Sequence, residues 1–376
     1  MNFSELANYF EKLEKTSGRI EMTEILAELF AKAPLAEIDK ICYLLLGRLV
    51  PLFESLEFNI AEKMVIKILA AAFKKPEGEV KQLFKKTGDL GLVAERLATA
   101  EALKELKRRG GLSVVETYKR LYEIAIASGA GSQEKKIKLF SELLSQVEPL
   151  SAKYLVRIPL GRMRLGLADK TLIEALSWLR KGDKSMKGEV EKYYFVYPDI
   201  GVIAKEFKKG GISALEKIET EVGVPILPEL CQRIGSADEI IEKMGNVAVE
   251  PKFDGTRIQL HFSREKEWEE LPQAEFDFGE IRKKGFVKAF TRNLEEVTQM
   301  FPEIIKAAFE QIDASELILD GEAVGYDPEN EKFLPFQVTI QRKRKYGVKE
   351  KVAEIPLRYF AFDILYKDGE NLLGIG

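Results

Sequence analysis

Through most of residues 1–222, apolar side chains recur three and four positions apart. MTEILAELFAKA (22–33), AEKMVIKILAAAFKK (61–75), VVETYKRLYEIAIAS (114–128) and KTLIEALSWLRKG (170–182) all carry this spacing, with Gly, Pro, Ser or Asp punctuating the ends. A helical turn brings such positions onto one face, so each stretch predicts an amphipathic helix. No longer period repeats, so a solenoid is not supported. The helical rhythm stops at EVGVPILPELCQRIG (221–235), where two prolines mark a linker.

Beyond it the pattern is that of strands. NVAVEPKFDGTRIQLHF (246–262), GFVKAFTR (285–292), ELILDGEAVGYD (316–327) and LRYFAFDILYKDG (357–369) are rich in β-branched and aromatic residues and bounded by Gly and Asp. LEEVTQMFPEIIKAAFEQI (294–312) returns to helical spacing between them. The expectation is a multidomain α and α+β chain: an all-helical domain over 1–222, then an antiparallel-sheet domain over 223–376. Within VEPKFDGTRIQLHF (249–262) the alternation predicts a half-buried strand, a tight Asp254-Gly255 turn and a second strand.

Composition narrows the chemistry. The chain has 376 residues, 45% hydrophobic and 32% charged, which fits a globular protein of two or three domains. The apolar run ICYLLLGRLVPLF (41–53) is broken by Arg48 and Pro51 and falls short of the roughly 20 residues a membrane helix needs. The acidic, amphipathic start lacks a signal-peptide pattern, so a cytoplasmic location is expected. Cys42 and Cys231 stand far apart among apolar neighbours, which argues against a disulfide framework or a zinc site. With one histidine, His261, read as a structural strand residue, acid, base and metal work falls to Asp, Glu and Lys. The net charge of −3 conceals two basic stretches: Lys153, Arg157, Arg162, Arg164 and Lys170 against Asp169, and Arg342 to Lys351 against Glu350. Such patches on an acidic chain suggest a polyanion bound at chosen places, with solvated helix faces as the alternative.

Lys252 interrupts the apolar alternation of its predicted strand. A buried lysine must lose its charge, pair with an acid or act as a nucleophile. Pairing with Asp254 or Glu250 is one reading. The other follows from its neighbours, because Arg257 stands on the next predicted strand, and a neutral amine beside cations can attack phosphorus while a guanidinium fork holds the phosphate.

Lys252-Phe253-Asp254-Gly255 with Arg257 resembles the signature of the covalent nucleotidyltransferases: ATP-dependent DNA ligases, RNA ligases and mRNA capping enzymes. FTRNLEE (290–296), LDGEAV (319–324) and YFAFDILY (359–366) resemble that superfamily's later motifs, in its order. ASGAGSQEKK (127–136), YLVRIPLGRMRLGLADKTLIEAL (154–176), YPDIGVIAK (197–205) and PFQVTIQRKRKYGV (335–348) are similar to segments of archaeal and eukaryotic replicative-type DNA ligases, whose N-terminal helical domain grips the duplex.

The resemblance implies an ATP-dependent DNA ligase that seals 5′-phosphate/3′-hydroxyl nicks in duplex DNA. Lys252 would carry AMP through a phosphoramide, Glu250 would accept from the adenine amino group, and Phe362, with Phe360 as the alternate, would stack on the ring. Arg257 and Arg292 would hold ribose and phosphates. Arg292 pairing with Glu295 or Glu296, and Phe362 serving as core, are the other readings. Glu322, with Asp320, would position Mg2+, or Mn2+ in its place. Ser132, Lys135, Arg157, Arg162, Arg164, Arg342 and Arg344 would bind DNA backbone without reading base sequence. A cytoplasmic monomer, nucleoid-associated if archaeal, with a sliding clamp as a further candidate partner and no membrane, completes the expectation. An RNA ligase, a capping-type nucleotidyltransferase and a non-catalytic nucleic-acid scaffold are the alternatives.

Two departures stand out. SREKEWEELPQAEFDFGEIRKKG (263–285) occupies a place where relatives have a short hairpin turn, and reads as a solvated loop or partner contact. The chain stops at DGENLLGIG (368–376) without the family's later lysine motif or OB-fold. The expectation is therefore a fragment that binds DNA and seals nicks poorly.

Overall fold

The computed structural model describes residues 1–98, 111–229, 231–267, 285–344 and 347–374. They form two compact units, one of Met1–Tyr194 with Pro198–Ile218, the other of Phe195–Tyr197 with Glu219–Gly376. Residues 268–284 of the acidic insertion and Lys345 of the second basic stretch lie outside the described residues.

The first unit is built of helices, as the periodicity predicted. Helix Phe3–Lys15 buries Phe3, Leu6, Ala7, Phe10 and Leu13, the positions that a helical repeat brings to one stripe. Each large side chain withdrawn from water in this way contributes about 1.5–3 kcal/mol. Helix Val114–Ile126 starts where the Ser113 hydroxyl accepts the Glu116 N–H at 3.1 Å, a cap that stabilises by about 1 kcal/mol. Helices Arg19–Lys32, Glu62–Phe73 and Asp169–Lys181 match the other predicted segments.

The second unit is organised around an antiparallel sheet. Its strands are β1 (Thr256–Ser263), β2 (Phe286–Thr291), β3 (Glu316–Asp327), β4 (Lys332–Phe333), β5 (Leu357–Lys367) and β6 (Glu370–Asn371). They run in the order β2-β1-β3-β5-β6, with β4 on the end of β3. Alternation on β1 divides the sheet's two faces. Ile258, Leu260 and Phe262 join Ile304, Ile305 and Phe309 of helix Pro302–Gln311 in a core. Arg257, Gln259 and His261 occupy the opposite face.

The sheet differs from the sequence reading at residues 247–254. Among the described residues no strand precedes the Asp254-Gly255 step; the segment is irregular and mostly exposed. Pro251 lacks the N–H a ladder needs, and Val249 is 89% exposed, so no apolar face is there to be covered. The misplaced lysine of the predicted strand is thus a surface lysine on a loop.

Candidate nucleotide site

Two anchors hold that loop immediately after Lys252. The Phe253 ring stacks on Phe360, centroids 4.3 Å apart and planes within 16°. The Gly255 N–H donates to Glu322 Oε1 at 3.0 Å. Glycine is required there because a Cβ would stand 2.3 Å from the Ala323 carbonyl oxygen. The exposed Lys252 side chain thus belongs to a loop whose backbone is tied down just after it.

Strand register assembles the remaining groups. Arg257 lies opposite Glu322 across β1 and β3, and Gln259 opposite Asp320, so all four side chains share one face. The Arg257 guanidinium forks onto Asp320, Nε at 2.9 Å from Oδ1 and Nη2 at 2.5 Å from Oδ2. That bond, more than the opposing effect of burial, raises the arginine's already high pKa. Asp320 is 3% exposed and both its oxygens accept from Arg257. Its expected place as a cation ligand is taken by the guanidinium. Glu322 keeps Oε2 outside that bonding. Burial pushes its carboxyl up, against the Gly255 N–H and the charges of Lys252 and Arg257. A half-buried carboxylate so weakly compensated suits a further cation.

Phe362 owes its position to an irregularity. Asp320 pairs with Asp363 and Gly321 with Ala361, leaving Phe362 without a partner in the ladder, as a bulged residue. The bulge turns its ring outward, 39% exposed, with the Arg257 guanidinium 5.5 Å from its centroid. Phe360, the alternate platform, is committed to Phe253 and to Phe333. Arg292 stands exposed in the turn after β2, and a shallow pocket there is walled by Pro225, Ile226 and Pro228 across from Arg257, Arg292 and Asp320. The acid at Glu295 is held by Lys343 at 2.5 Å. Glu250 is exposed on the loop. Among the described residues, no three His, Cys, Asp or Glu side chains cluster to hold a metal by themselves.

The predicted DNA contacts divide by burial. Arg157 is 2% exposed, with Nη2 2.6 Å from Asp89 and Nη1 3.0 Å from Glu14. Glu14 also meets Lys153 at 2.8 Å and the Tyr154 hydroxyl at 2.7 Å. Arg157 is therefore a core ion-pair residue and not a surface clamp, because its helix buries Tyr154, Leu155 and Val156 around it. Arg342 is likewise fully buried, 2.5 Å from Glu303, and is unavailable to a phosphate. Lys135 and Arg344 are exposed, and Ser132 opens helix Ser132–Leu144 behind Gly131. Arg162 pairs at the surface with Glu62 at 2.7 Å, and Arg164 reaches Asp89 at 3.4 Å. Arg164 adopts φ 59°, a left-handed conformation that stores some backbone strain at this surface turn.

The chain is similar to known proteins. The family model described as DNA ligase N terminus matches residues 2–177, and that described as ATP dependent DNA ligase domain matches residues 280–375. Together they define a helical unit and a sheet unit of one enzyme class. The chain belongs to the ATP-dependent DNA ligase family. It is 42% identical over 375 residues to a "Probable DNA ligase" of Dictyoglomus turgidum and 43% identical over 371 to its namesake in Dictyoglomus thermophilum. It is 38% identical over 378 residues to "DNA ligase 2" of Thermofilum pendens. These alignments take in 99–100% of this chain and 59–60% of the relatives, so it spans about three-fifths of their length. Among the described residues no helix is long and apolar enough to cross a membrane.

Proposed function

We propose that the whole protein seals 5′-phosphate/3′-hydroxyl nicks in duplex DNA at the expense of ATP, with Lys252 as the carrier of AMP. The observation that carries this reading is the convergence of Arg257, Glu322 and Phe362, from three neighbouring strands, beside the anchored loop that bears Lys252. In the first step the neutral Lys252 amine attacks the α-phosphorus. An N–P bond forms, the bond to the bridging oxygen breaks, pyrophosphate leaves with the electron pair, and the amine's proton passes to water. A 5′-phosphate oxygen at the nick then displaces the lysine from phosphorus. The adjacent 3′-hydroxyl in turn displaces AMP and closes the backbone.

The chain's own groups position these reactants and offset charge on oxygen. Phe362 offers an exposed face for the adenine, and Glu250 an acceptor for its amino group. Arg292 and the part of the Arg257 fork not taken by Asp320 face ribose and phosphates. Mg2+ is commonly bound through one or two carboxylates plus substrate phosphates, so the free Glu322 oxygen fits it, with Mn2+ as the alternative. When bound, it would neutralise phosphate oxygens. On the helical unit, Ser132, Lys135, Arg162 and Arg164 are accessible to backbone phosphates, as is Arg344 on the sheet unit.

Incubation of the full-length protein with α-labelled ATP or GTP, followed by a denaturing gel, tests the reading. Label from ATP alone, absent in Lys252→Ala and chased onto nicked DNA, is expected. Label from GTP would indicate a capping-type enzyme instead, and no label from either would leave a nucleic-acid scaffold.

A further inference from the structure

The unexplained residues of β1 are Gln259 and His261, buried polar side chains on the same face as Arg257. Gln259 lines the pocket beside Arg257, Arg292 and Asp320, and His261 stands behind it on the strand. Both reach toward the proline-containing segment 222–228. The Ile226 N–H donates to Gln259 Oε1 at 2.7 Å, and Gln259 Nε2 donates back to the Ile226 carbonyl at 3.0 Å. The side-chain amide thus pairs with the segment as a neighbouring strand would. Two residues on, His261 Nδ1 accepts the Gly223 N–H at 3.0 Å, and Nε2 lies 3.0 Å from Gln259 Oε1.

These four bonds determine one another. An accepting Nδ1 leaves the proton on Nε2, which then donates to Gln259 Oε1; the amide orientation follows, and with it the pairing to Ile226. Burial, helped by the Lys288 and Lys266 charges, pushes His261 down to about 3, so the neutral tautomer persists at ordinary pH. Lys266 adds a bond to the Val222 carbonyl at 2.7 Å. Val222 and Ile226 pack with Phe286, Ile318 and Leu365. The held segment supplies the Pro225, Ile226 and Pro228 wall of the pocket that contains Arg257 and Arg292.

We propose that Gln259 and His261 are positioning residues that hold this proline strap as the fixed wall of the nucleotide pocket. The proposal rests on the nucleotide-site reading. A strap left to fluctuate would widen the space facing Arg292 and weaken ATP binding before it altered attack by Lys252.

The test uses full-length protein carrying Gln259→Met, His261→Leu or His261→Asn, the last chosen because its Oδ1 can replace Nδ1 as acceptor for Gly223. Hydrogen exchange of the Gly223 and Ile226 amides reports the strap, and lysine labelling at varied ATP reports KM and the maximal rate separately. Expected are faster exchange and a KM raised about tenfold in Gln259→Met and His261→Leu, with a maximal rate within about threefold of wild type. Recovery of most of both losses is expected in His261→Asn. Wild-type KM despite rapid exchange in Gln259→Met would overturn the proposal, as would a fall in maximal rate at constant KM. If His261→Leu does not fold, Gln259→Met decides alone. Absence of label in the wild type would instead sink the underlying nucleotide-site reading.

Discussion

Two arginine–aspartate pairs, one in each unit, have nearly the same geometry and opposite settings. Arg157 and Asp89 meet at 2.6 Å with side chains 2% and 4% exposed; Arg257 and Asp320 meet at 2.5 Å with 33% and 5% exposed. In the first pair the guanidinium is sealed among apolar helix neighbours, and Glu14 and Lys153 complete its charge balance. In the second, Asp320 is sealed and the guanidinium edge remains open toward a pocket and an exposed aromatic ring. An acid beneath a half-open arginine aims it and leaves donors free for a ligand. Acids on every side of a closed arginine give it to the core. Short ion-pair distance is therefore no guide to role, whereas which partner is exposed separates the two cases.

The largest separation is expected on stability. Arg157→Met leaves buried Asp89 without its main partner, and unpaired buried charge costs about 3–5 kcal/mol. Urea unfolding followed by circular dichroism should show that loss, and a smaller one in Arg257→Met, where sealed Asp320 loses its partner but the guanidinium replaced is one-third exposed. Equal shifts would erase the distinction between the pairs.

Lysine labelling should reverse that ranking. Arg257→Met is expected to lower labelling of Lys252 in the full-length protein by about 100-fold, roughly 2.7 kcal/mol of transition-state stabilisation. Folded Arg157→Met should label within about threefold of wild type, because its arginine faces no nucleotide. A deficit in Arg157→Met as large as that in Arg257→Met would break the comparison.

Acid sharpens it further. Asp89 is held below the usual carboxylate range: burial pushes it up, but the bond and charge of Arg157, the Gly91 N–H and the Arg164 charge together outweigh that rise. His261 is lowered from 6.5 to about 3 by burial and by the Lys288 and Lys266 charges. Both folded pKa values lie below their unfolded ones, so both contributions are complete above the unfolded pKa and are lost as pH falls. For His261 the loss spans pH 6.5 to about 3; for Asp89 it begins lower, below the ordinary aspartate value of 3.8. The sheet unit should therefore weaken first on acidification, by a few kcal/mol at most, and His261→Asn should remove the part of the slope above about pH 5. Protection factors of the Gly223 and Ile226 amides that do not change between pH 7 and pH 5 would contradict this order.

The smallest effect concerns a surface arginine. Arg162 is 60% exposed and paired with Glu62. Arg162→Ala should alter stability by less than about 1 kcal/mol yet reduce the log–log salt slope of DNA binding by about 1. An unchanged slope would remove Arg162 from the phosphate contacts and leave it, like Arg157, with a structural partner only.

Much of the fold was legible from spacing. The four quoted helical segments and the strands at 286–291, 316–327 and 357–367 stand where periodicity put them. Their burial depends on local repeats of two or 3.6 residues, which a sequence displays directly. The segment before Gly255 was misread because alternation alone cannot say whether a partner strand exists to pair with. Arg157 and Arg342 were assigned to DNA on charge, although the apolar run Tyr154 to Val156 beside Arg157 was a visible sign of burial. Gln259 and His261 carried no such sign, since the main-chain groups they bind lie more than 30 residues away.

By itself the sequence nominated the candidates for chemistry: a lysine, two arginines, three acids and an aromatic in a set order, with too little histidine or cysteine for other routes. It also determined the helix and strand periods, because these arise from local backbone geometry. The tertiary structure alone decided which of those charges face a ligand. Desolvation and pairing depend on groups brought together from distant segments, so the β1–β3 register that turned Asp320 from expected cation ligand to arginine partner, and the β5 bulge that exposed Phe362, exist only once the sheet has formed.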